Sequence, residues 1–237
     1  MIKMGCCGFP IGRRAYGRRF EVVEVQQTFY QPPPPERLRR VGDDLPPPFE
    51  FTVNAWQVIP HPVHSPTYRR GHITVPAGRE GCYGFFRPTE EVHQGWQRTR
   101  EAGQALGARV VLFQTPPSFS DEPTSWENLR NFFESIERGH LAFVWEPRGH
   151  WREDSIRGLC RELDLVHGVD PLEQPPLWGD FHYFRLHGGR GYRHVYTDEE
   201  LERLWALCGE GGETYCLFNN RSMLSDAQRF LALRSGG

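Results

Sequence analysis

Eight short apolar segments alternate with amphipathic ones along the chain, and this alternation limits the folds it can adopt. The apolar segments are rich in Val, Phe, Leu and Tyr and are bounded by Gly, Pro or Asp, which is typical of strands. We predict strands over residues 2–8, 22–29, 49–55, 109–115, 141–147, 164–169, 181–187 and 214–219. Because parallel neighbours need crossover connections, strands separated by helices predict a parallel sheet.

The intervening segments carry helix signals, such as a proline at the start of 35–44 and a threonine with two acidic residues at the start of 89–106. Further helices are predicted over 124–139, 152–163, 197–212 and 224–233, with weaker signals at 12–19 and 172–179. Eight such units over residues 1–237 predict a single α/β domain, a closed (β/α)8 TIM barrel. A doubly wound open sheet is the alternative, but GCCGFPIG after the first strand is not its GxGxxG motif.

One predicted connection, residues 57–87 after the third strand, is long and has no clear periodicity. Long loops in compact domains are usually functional, and the loop after a barrel strand lies on the active face. We therefore expect this segment to cover the site.

Composition narrows the partners and cofactors. A net charge of -2 and the lack of an apolar run of about 18 residues predict a cytoplasmic protein without a membrane partner, although a local basic patch could bind a small anionic ligand or nucleic acid. Lys3, the only lysine, begins the first strand, at the wrong end of a barrel for Schiff-base or pyridoxal phosphate chemistry. The lack of GxGxxG also argues against a nicotinamide cofactor.

Polar residues are predicted inside the barrel. In the second strand, period-two alternation places Glu24, Gln26 and Thr28 inward, and a carboxylate there needs a partner or a changed pKa. Arg185 with His187, and Glu146 with Arg148, share faces in the seventh and fifth strands. This network is either a buried ion-pair lattice or a site. The two readings are balanced for Glu24 and Arg185, whereas Glu146 and His187 lie at strand ends, where barrels place catalytic groups.

Further polar residues recur at the strand ends, and they predict a ring of ligand-binding groups: Gly8, Asn54, His61, Gln114, His167, Asp170, Asn219 and Asn220. The loop HGGRGYR after the seventh strand combines Gly188, Gly189 and Arg190, and barrels frequently hold phosphate at this position. A divalent metal is a further candidate cofactor, without a local spacing motif to fix its ligands. Its candidate ligands are Glu24, His61, Glu146, Asp170 and His187.

The motifs together resemble the YecE-like family, domain of unknown function 72, over essentially the whole chain. The resemblance is carried by GCCGF, VEVQQTFY, LFQTPPSF, WEPRGHW, LVHGVDP, YFRLHGGRGY, YTDEEL and FNNRSMLSDAQRF. It implies a TIM barrel without an assigned activity. The chain departs from the family pattern in having Cys6–Cys7 within GCCGF, Gln26 in place of Asn, and Asn54 where many members have Lys.

Three functions are compatible with these residues. The first is an enzyme, with a phosphate-ester hydrolase as the leading class, acting on a phosphorylated or phosphodiester substrate. Arg148, Arg190 and Arg193 would hold the anion, while Glu146 or Asp170 acts as a base and His187 moves the proton. Metal-dependent nucleases of the endonuclease-four type share this architecture, by analogy only.

The second function is a nucleic-acid-binding module without catalysis, with the loop arginines Arg69, Arg70, Arg79 and Arg190 to Arg193 contacting phosphate. The third is a carbohydrate-acting barrel enzyme, for which aromatic side chains would supply stacking surfaces: Trp56, Tyr83, Trp96 and Trp151.

Overall fold

Eight parallel strands close into a barrel in the computed structural model, which describes residues 1–189, 191–209 and 212–235. Each strand pairs with its neighbours in chain order, and the first pairs with the eighth. The strands are β1 Ile2–Cys7, β2 Val22–Val25, β3 Glu50–Asn54, β4 Val110–Gln114, β5 Ala142–Glu146, β6 Val166–Val169, β7 His182–Leu186 and β8 Thr214–Phe218. The prediction of a (β/α)8 barrel is confirmed.

Helices connect most of the strands. They are α1 Arg13–Gly17, α2 Gln27–Tyr30, α3 Pro35–Arg39, α4 Pro66–Arg70, α5 Glu90–Leu106, α6 Pro123–Ser135, α7 Glu153–Glu162, α8 Asp198–Gly209 and α9 Met223–Ser235. No helix within the described ranges is long and apolar enough to cross a membrane.

Two buried apolar clusters lie on opposite faces of the barrel wall. The larger lies between the strands and the helices and includes a group of phenylalanines around Phe113 and Phe132. The smaller is formed by alternate residues of the strands, such as Val110, Leu112 and Tyr183. Since side chains alternate across a strand, this second cluster fills the lumen. The polar residues of the site lie above it, toward the carboxyl ends of the strands.

The second strand is shorter than predicted. It ends at Val25, and Gln26 has helical backbone angles, so Thr28 lies in α2 rather than on an inward strand face. The Thr28 hydroxyl accepts the Asn54 N–H at 3.1 Å and lies 2.7 Å from the carbonyl oxygens of Val25 and Asn54. Because this hydroxyl is bonded to backbone groups at the ends of β2 and β3, the chain can leave the sheet at this point.

The helix predicted at 172–179 is wrong. The backbone N–H groups of Glu173 and Gln174 donate to the carbonyl of Asp170, which makes one turn, and two prolines follow. Proline supplies no N–H to continue a helix. The segment instead runs beside β6, where the His167 N–H donates to the carbonyl of Trp178 at 2.8 Å.

The 57–87 connection is long, as expected, but partly regular. It contains α4 and a 3-10 turn at Glu80–Cys82. Its first part runs back over the carboxyl end of the barrel, since the His61 ring lies 3.2 Å from the carbonyl oxygen of Gln114 at the end of β4.

Candidate functional site

A cavity of about 990 Å³ opens at the carboxyl ends of the strands. Parallel strands all end on one side of a barrel, so side chains that are distant in sequence meet there. Eleven of the residues predicted inside the barrel, at the strand ends or in the loop after β7 line this cavity: Gln26, Asn54, Gln114, Glu146, Arg148, Asp170, Arg185, His187, Gly188, Gly189 and Asn219. The structure therefore brings together most of the ring predicted from the strand ends.

Arg185 forms the centre of a buried ion network below the cavity. Its Nε and Nη2 donate to the two carboxylate oxygens of Glu24 at 2.9 and 2.8 Å, and its Nη1 donates to Glu146 at 2.5 Å and to Gln114 at 2.7 Å. The Tyr183 hydroxyl donates to Glu24 at 2.9 Å. Arg185 is 1% exposed and Glu24 is fully buried. Such a pair holds strands in register, and removing one partner would leave a buried charge.

Arg148 connects this network to the cavity surface. Its Nε donates to Glu146 at 2.6 Å, its Nη2 contacts Nε2 of His187, and 32% of its side chain is exposed. The His187 Nε2 also lies 3.1 Å from the Glu146 carboxylate. Glu146 therefore holds two arginines and a histidine, and of these Arg148 reaches solvent most.

Burial and the neighbouring charges act on the pKa values of both Glu146 and His187. Burial alone raises the pKa of Glu146, but the charges of Arg148 and Arg185 outweigh it and hold that pKa well below its usual value. Burial, together with the charges of Arg185 and Arg148, lowers the pKa of His187 despite the neighbouring Glu146. Glu146 is thus a permanent anion, and the His187 imidazole is neutral at pH 7.

Asp170 is the cavity carboxyl with the opposite behaviour. Burial raises its pKa to about 6, although the backbone N–H groups of Leu172 and His187 donate to its oxygens at 3.2 and 3.1 Å. A carboxyl with this pKa can give or take a proton near neutral pH. The bond from the His187 N–H also fixes the start of the loop after β7.

A line of side-chain amides crosses the cavity floor. Gln26 donates from Nε2 to the Asn219 Oδ1 at 2.7 Å, and the Asn219 amide nitrogen lies 3.1 Å from Nδ1 of His187. The line joins the ends of β2, β8 and β7. Although β2 ends at Val25, Gln26 still lines the cavity, as its predicted inward position implies.

Several predicted residues do not line the cavity, and His167 is one of them, because it is fully buried. Glu24 lies beneath it, and the Gly8 N–H donates to the Glu24 carbonyl. Asn220 is buried and donates to the His194 carbonyl and to Asp226, so it supports the loop after β7 from behind. His61 is likewise buried behind the cavity wall.

In the loop predicted to bind an anion, two backbone N–H groups already donate to other groups of the protein. The Gly188 N–H donates to the Tyr196 hydroxyl at 2.7 Å, and the Gly191 N–H donates to the Gly188 carbonyl. These two N–H groups are therefore not free for an anion, contrary to the expectation from sequence. Arg190 lies outside the described residues. Arg193 is exposed and does not line the cavity.

The aromatic side chains singled out for stacking also lie elsewhere. Trp96 is buried between α5 and the barrel, and Trp151 packs against Trp145. Trp56 and Tyr83 do not line the cavity either. Arg70, predicted to contact phosphate, does line the cavity. Other cavity residues are marked by no strand pattern: Phe29, Tyr30, Thr67, Glu173, Gln174 and Tyr192. The signal for Thr67 was the long aperiodic loop that contains it.

The candidate metal ligands do not form a metal site. Within the described ranges, no group of three or more His, Cys, Asp or Glu side chains is placed to hold a metal ion. Arg185 lies between Glu24 and Glu146 and supplies the positive charge that these carboxylates need. The donor set therefore does not fit a divalent cation.

Comparison with known proteins identifies relatives of the same architecture. The family model described as protein of unknown function DUF72 matches residues 12–234. A DUF72 family protein from Thermotoga maritima is 20% identical, with 99% of each chain covered and a TM-score of 0.69. A second one, from Enterococcus faecalis, is 18% identical, with 100% of this chain and 98% of the other covered and a TM-score of 0.69.

An AP endonuclease, family 2, from Brucella melitensis is 12% identical, with 99% of this chain and 98% of the other covered and a TM-score of 0.61. At these identities the structural likeness shows the fold alone. No curated protein matches the chain.

Proposed function

The chain belongs to the DUF72 family, which has no assigned function, and on that premise we propose that it is an enzyme acting on a phosphorylated or phosphodiester substrate in the cavity. The observation that carries the proposal is the position of Arg148. Its guanidinium is partly exposed at the cavity surface, while Glu146 fixes its orientation. A fixed, partly exposed guanidinium is well suited to a phosphate oxygen.

Two titratable groups beside Arg148 supply acid–base chemistry in this proposal. His187, neutral at pH 7, takes the proton of an attacking water, and the water oxygen forms a bond to phosphorus. Asp170, with its pKa of about 6, gives its proton to the oxygen of the ester bond that breaks. Glu146 stays ionised and keeps Arg148 in place. The similarity to the Brucella AP endonuclease is compatible with this class of substrate.

A neutral carbohydrate is the second candidate substrate. The amides Gln26, Asn54 and Asn219 line the cavity, and such groups bind hydroxyls. In addition, Glu173 lies close to Gly189, where a methyl group would come within 2.8 Å of its carboxylate. A negative charge at that wall disfavours an anion on the side of the β7 loop.

The test is Arg148→Gln, with Arg152→Gln as the matched control on the same loop. Arg152 is exposed and paired with Asp121 away from the cavity. We expect inorganic phosphate to bind the native protein and the control alike, and Arg148→Gln to weaken it about 10- to 100-fold in calorimetric titration. Hydrolysis of 4-nitrophenyl phosphate and bis(4-nitrophenyl) phosphate should fall in parallel. Equal binding by all three proteins would refute the phosphate site.

A further inference from the structure

The cavity wall on the β3 side carries none of the acid–base groups described above. It is formed by Asn54 at the end of β3 and by Thr67 and Arg70, which are three residues apart on α4. Residues at this spacing share one face of a helical turn. This wall therefore faces the substrate from the side opposite the β7 loop.

A chain of hydrogen bonds runs from this wall into the protein. The Thr67 hydroxyl lies 2.8 Å from the Ser65 hydroxyl, which lies 3.3 Å from Nδ1 of His61. The His61 Nε2 lies 3.2 Å from the carbonyl oxygen of Gln114. The chain thus runs from Thr67, which lines the cavity, to a backbone carbonyl at its inner end.

The inner end fixes the direction of every bond in the chain. A carbonyl oxygen can only accept, so Nε2 of His61 carries the proton and donates it. Burial lowers the pKa of His61 to about 4, so the ring is neutral at pH 7 and its Nδ1 has a lone pair. Ser65 must then donate to Nδ1, and Thr67 must donate to Ser65. The Thr67 oxygen consequently presents only lone pairs to the cavity.

Asn54 presents a second acceptor on the same wall. Its side chain is 3% exposed, and its Oδ1 is buried without a hydrogen-bond partner among the described residues. An unsatisfied buried amide oxygen is costly, and at a residue that lines a cavity a bound ligand can supply the missing donor. Asn54 and Thr67 therefore each supply an acceptor to this wall, beside the donor groups of Arg70.

We propose that Asn54 and Thr67 form a specificity site that accepts hydrogen bonds from substrate hydroxyl groups. The inference rests on the proposed function and deepens it. The substrate is a phosphorylated polyol or sugar, whose phosphate contacts Arg148 and whose hydroxyls donate to this wall. A phosphate oxygen has no proton to donate, so Asn54 Oδ1 and the Thr67 oxygen favour the hydroxyls of the substrate over its phosphate.

Direct evidence for the bond direction comes from nitrogen NMR of the native protein labelled in its histidine rings. We expect His61 to be the neutral Nε2–H tautomer at pH 7 and to stay neutral down to pH 5. An Nδ1–H tautomer, or a ring that is charged at pH 6, would overturn the proposal without any reference to activity.

Binding is tested with inorganic phosphate, D-ribose 5-phosphate and D-ribose as calorimetric probes. Thr67→Val removes the hydroxyl at nearly constant volume, and we expect it to weaken D-ribose 5-phosphate about three- to tenfold while leaving inorganic phosphate unchanged. Thr67→Ser keeps the hydroxyl and should restore native affinity. Asn54→Val should act like Thr67→Val.

The outcomes separate this proposal from the proposed function. If phosphate and D-ribose 5-phosphate bind but Thr67→Val weakens neither or both equally, the hydroxyl site is wrong and the phosphate site stands. If phosphate does not bind but D-ribose binds in a manner that depends on Thr67, the phosphate site is wrong and the hydroxyl site stands. If none of the three probes binds, both are refuted.

Discussion

At the scale of single residues, Asp170 gives the clearest link between the site and stability. Its pKa is raised from 3.8 to about 6 by burial, so the folded protein holds this proton more tightly than the unfolded chain does. The contribution of Asp170 to stability is therefore fully present below about pH 4 and is lost as the pH rises through about 6.

Replacing Asp170 with Asn removes this titration. The free energy of unfolding of Asp170→Asn, relative to that of the native protein, should rise by about 2–3 kcal/mol between pH 4 and pH 7 and then level off. Urea unfolding at unit pH intervals measures it. Asp154→Asn, at a side chain that is 97% exposed, is the control and should show no such change. A difference that stays constant with pH would contradict the raised pKa.

The arrangement of residues in the site was only partly predictable. Alternation and strand ends were enough to identify Glu146, Arg148 and His187, because a barrel brings all of its strand ends together. Thr67 could not be assigned in this way, since its role depends on how a loop without periodicity folds back against β4. The partner of the Gly188 N–H could not be predicted either, because the Tyr196 hydroxyl approaches it through a turn of the loop.

At the scale of elements, the end of β2 depends on one hydroxyl. Thr28 binds the Asn54 N–H and lies beside two carbonyl oxygens, so Thr28→Val should leave buried backbone groups unsatisfied. We expect a loss of about 1–3 kcal/mol in the free energy of unfolding. Thr28→Ser retains the hydroxyl and serves as the control. Urea unfolding that finds the Val and Ser variants equally stable would show that the hydroxyl does not hold this junction.

The same elements show what local patterns can miss. The run 22–29 reads as a single strand because Val, Thr and Phe favour strands, yet the Thr28 hydroxyl bonds groups 26 residues away where the chain bends. Conversely, the weak helix signal at 172–179 does not produce a helix. Its two prolines favour the extended path that the structure shows.

At the scale of the whole molecule, the two ends of the barrel have different roles. At the amino-terminal end, Lys3 forms ion pairs with Glu50 and Glu213, far from the cavity. Lys3→Met should remove the buried cation that these carboxylates share and leave them with the more exposed Arg109, at 3.6 and 3.5 Å. We expect it to reduce the free energy of unfolding by about 1–3 kcal/mol. Phosphate binding should not change.

Lys3→Arg preserves the charge and should be close to native in both measurements, urea unfolding and calorimetric titration with inorganic phosphate. If Lys3→Met is fully folded but binds phosphate more weakly than the native protein, the two ends of the barrel are coupled. The charge pattern of this end was not apparent from the sequence, because Glu50 and Glu213 meet Lys3 only after the barrel closes.

The bond between Glu24 and Arg185 has a consequence for how the protein folds. It joins residues 161 positions apart, so no local segment of the chain can form it early. The complete network therefore exists only when β2 and β7 belong to one closed barrel. A single proteolytic cut that lets the barrel open would separate Glu24 from Arg185 and so take the floor of the cavity apart.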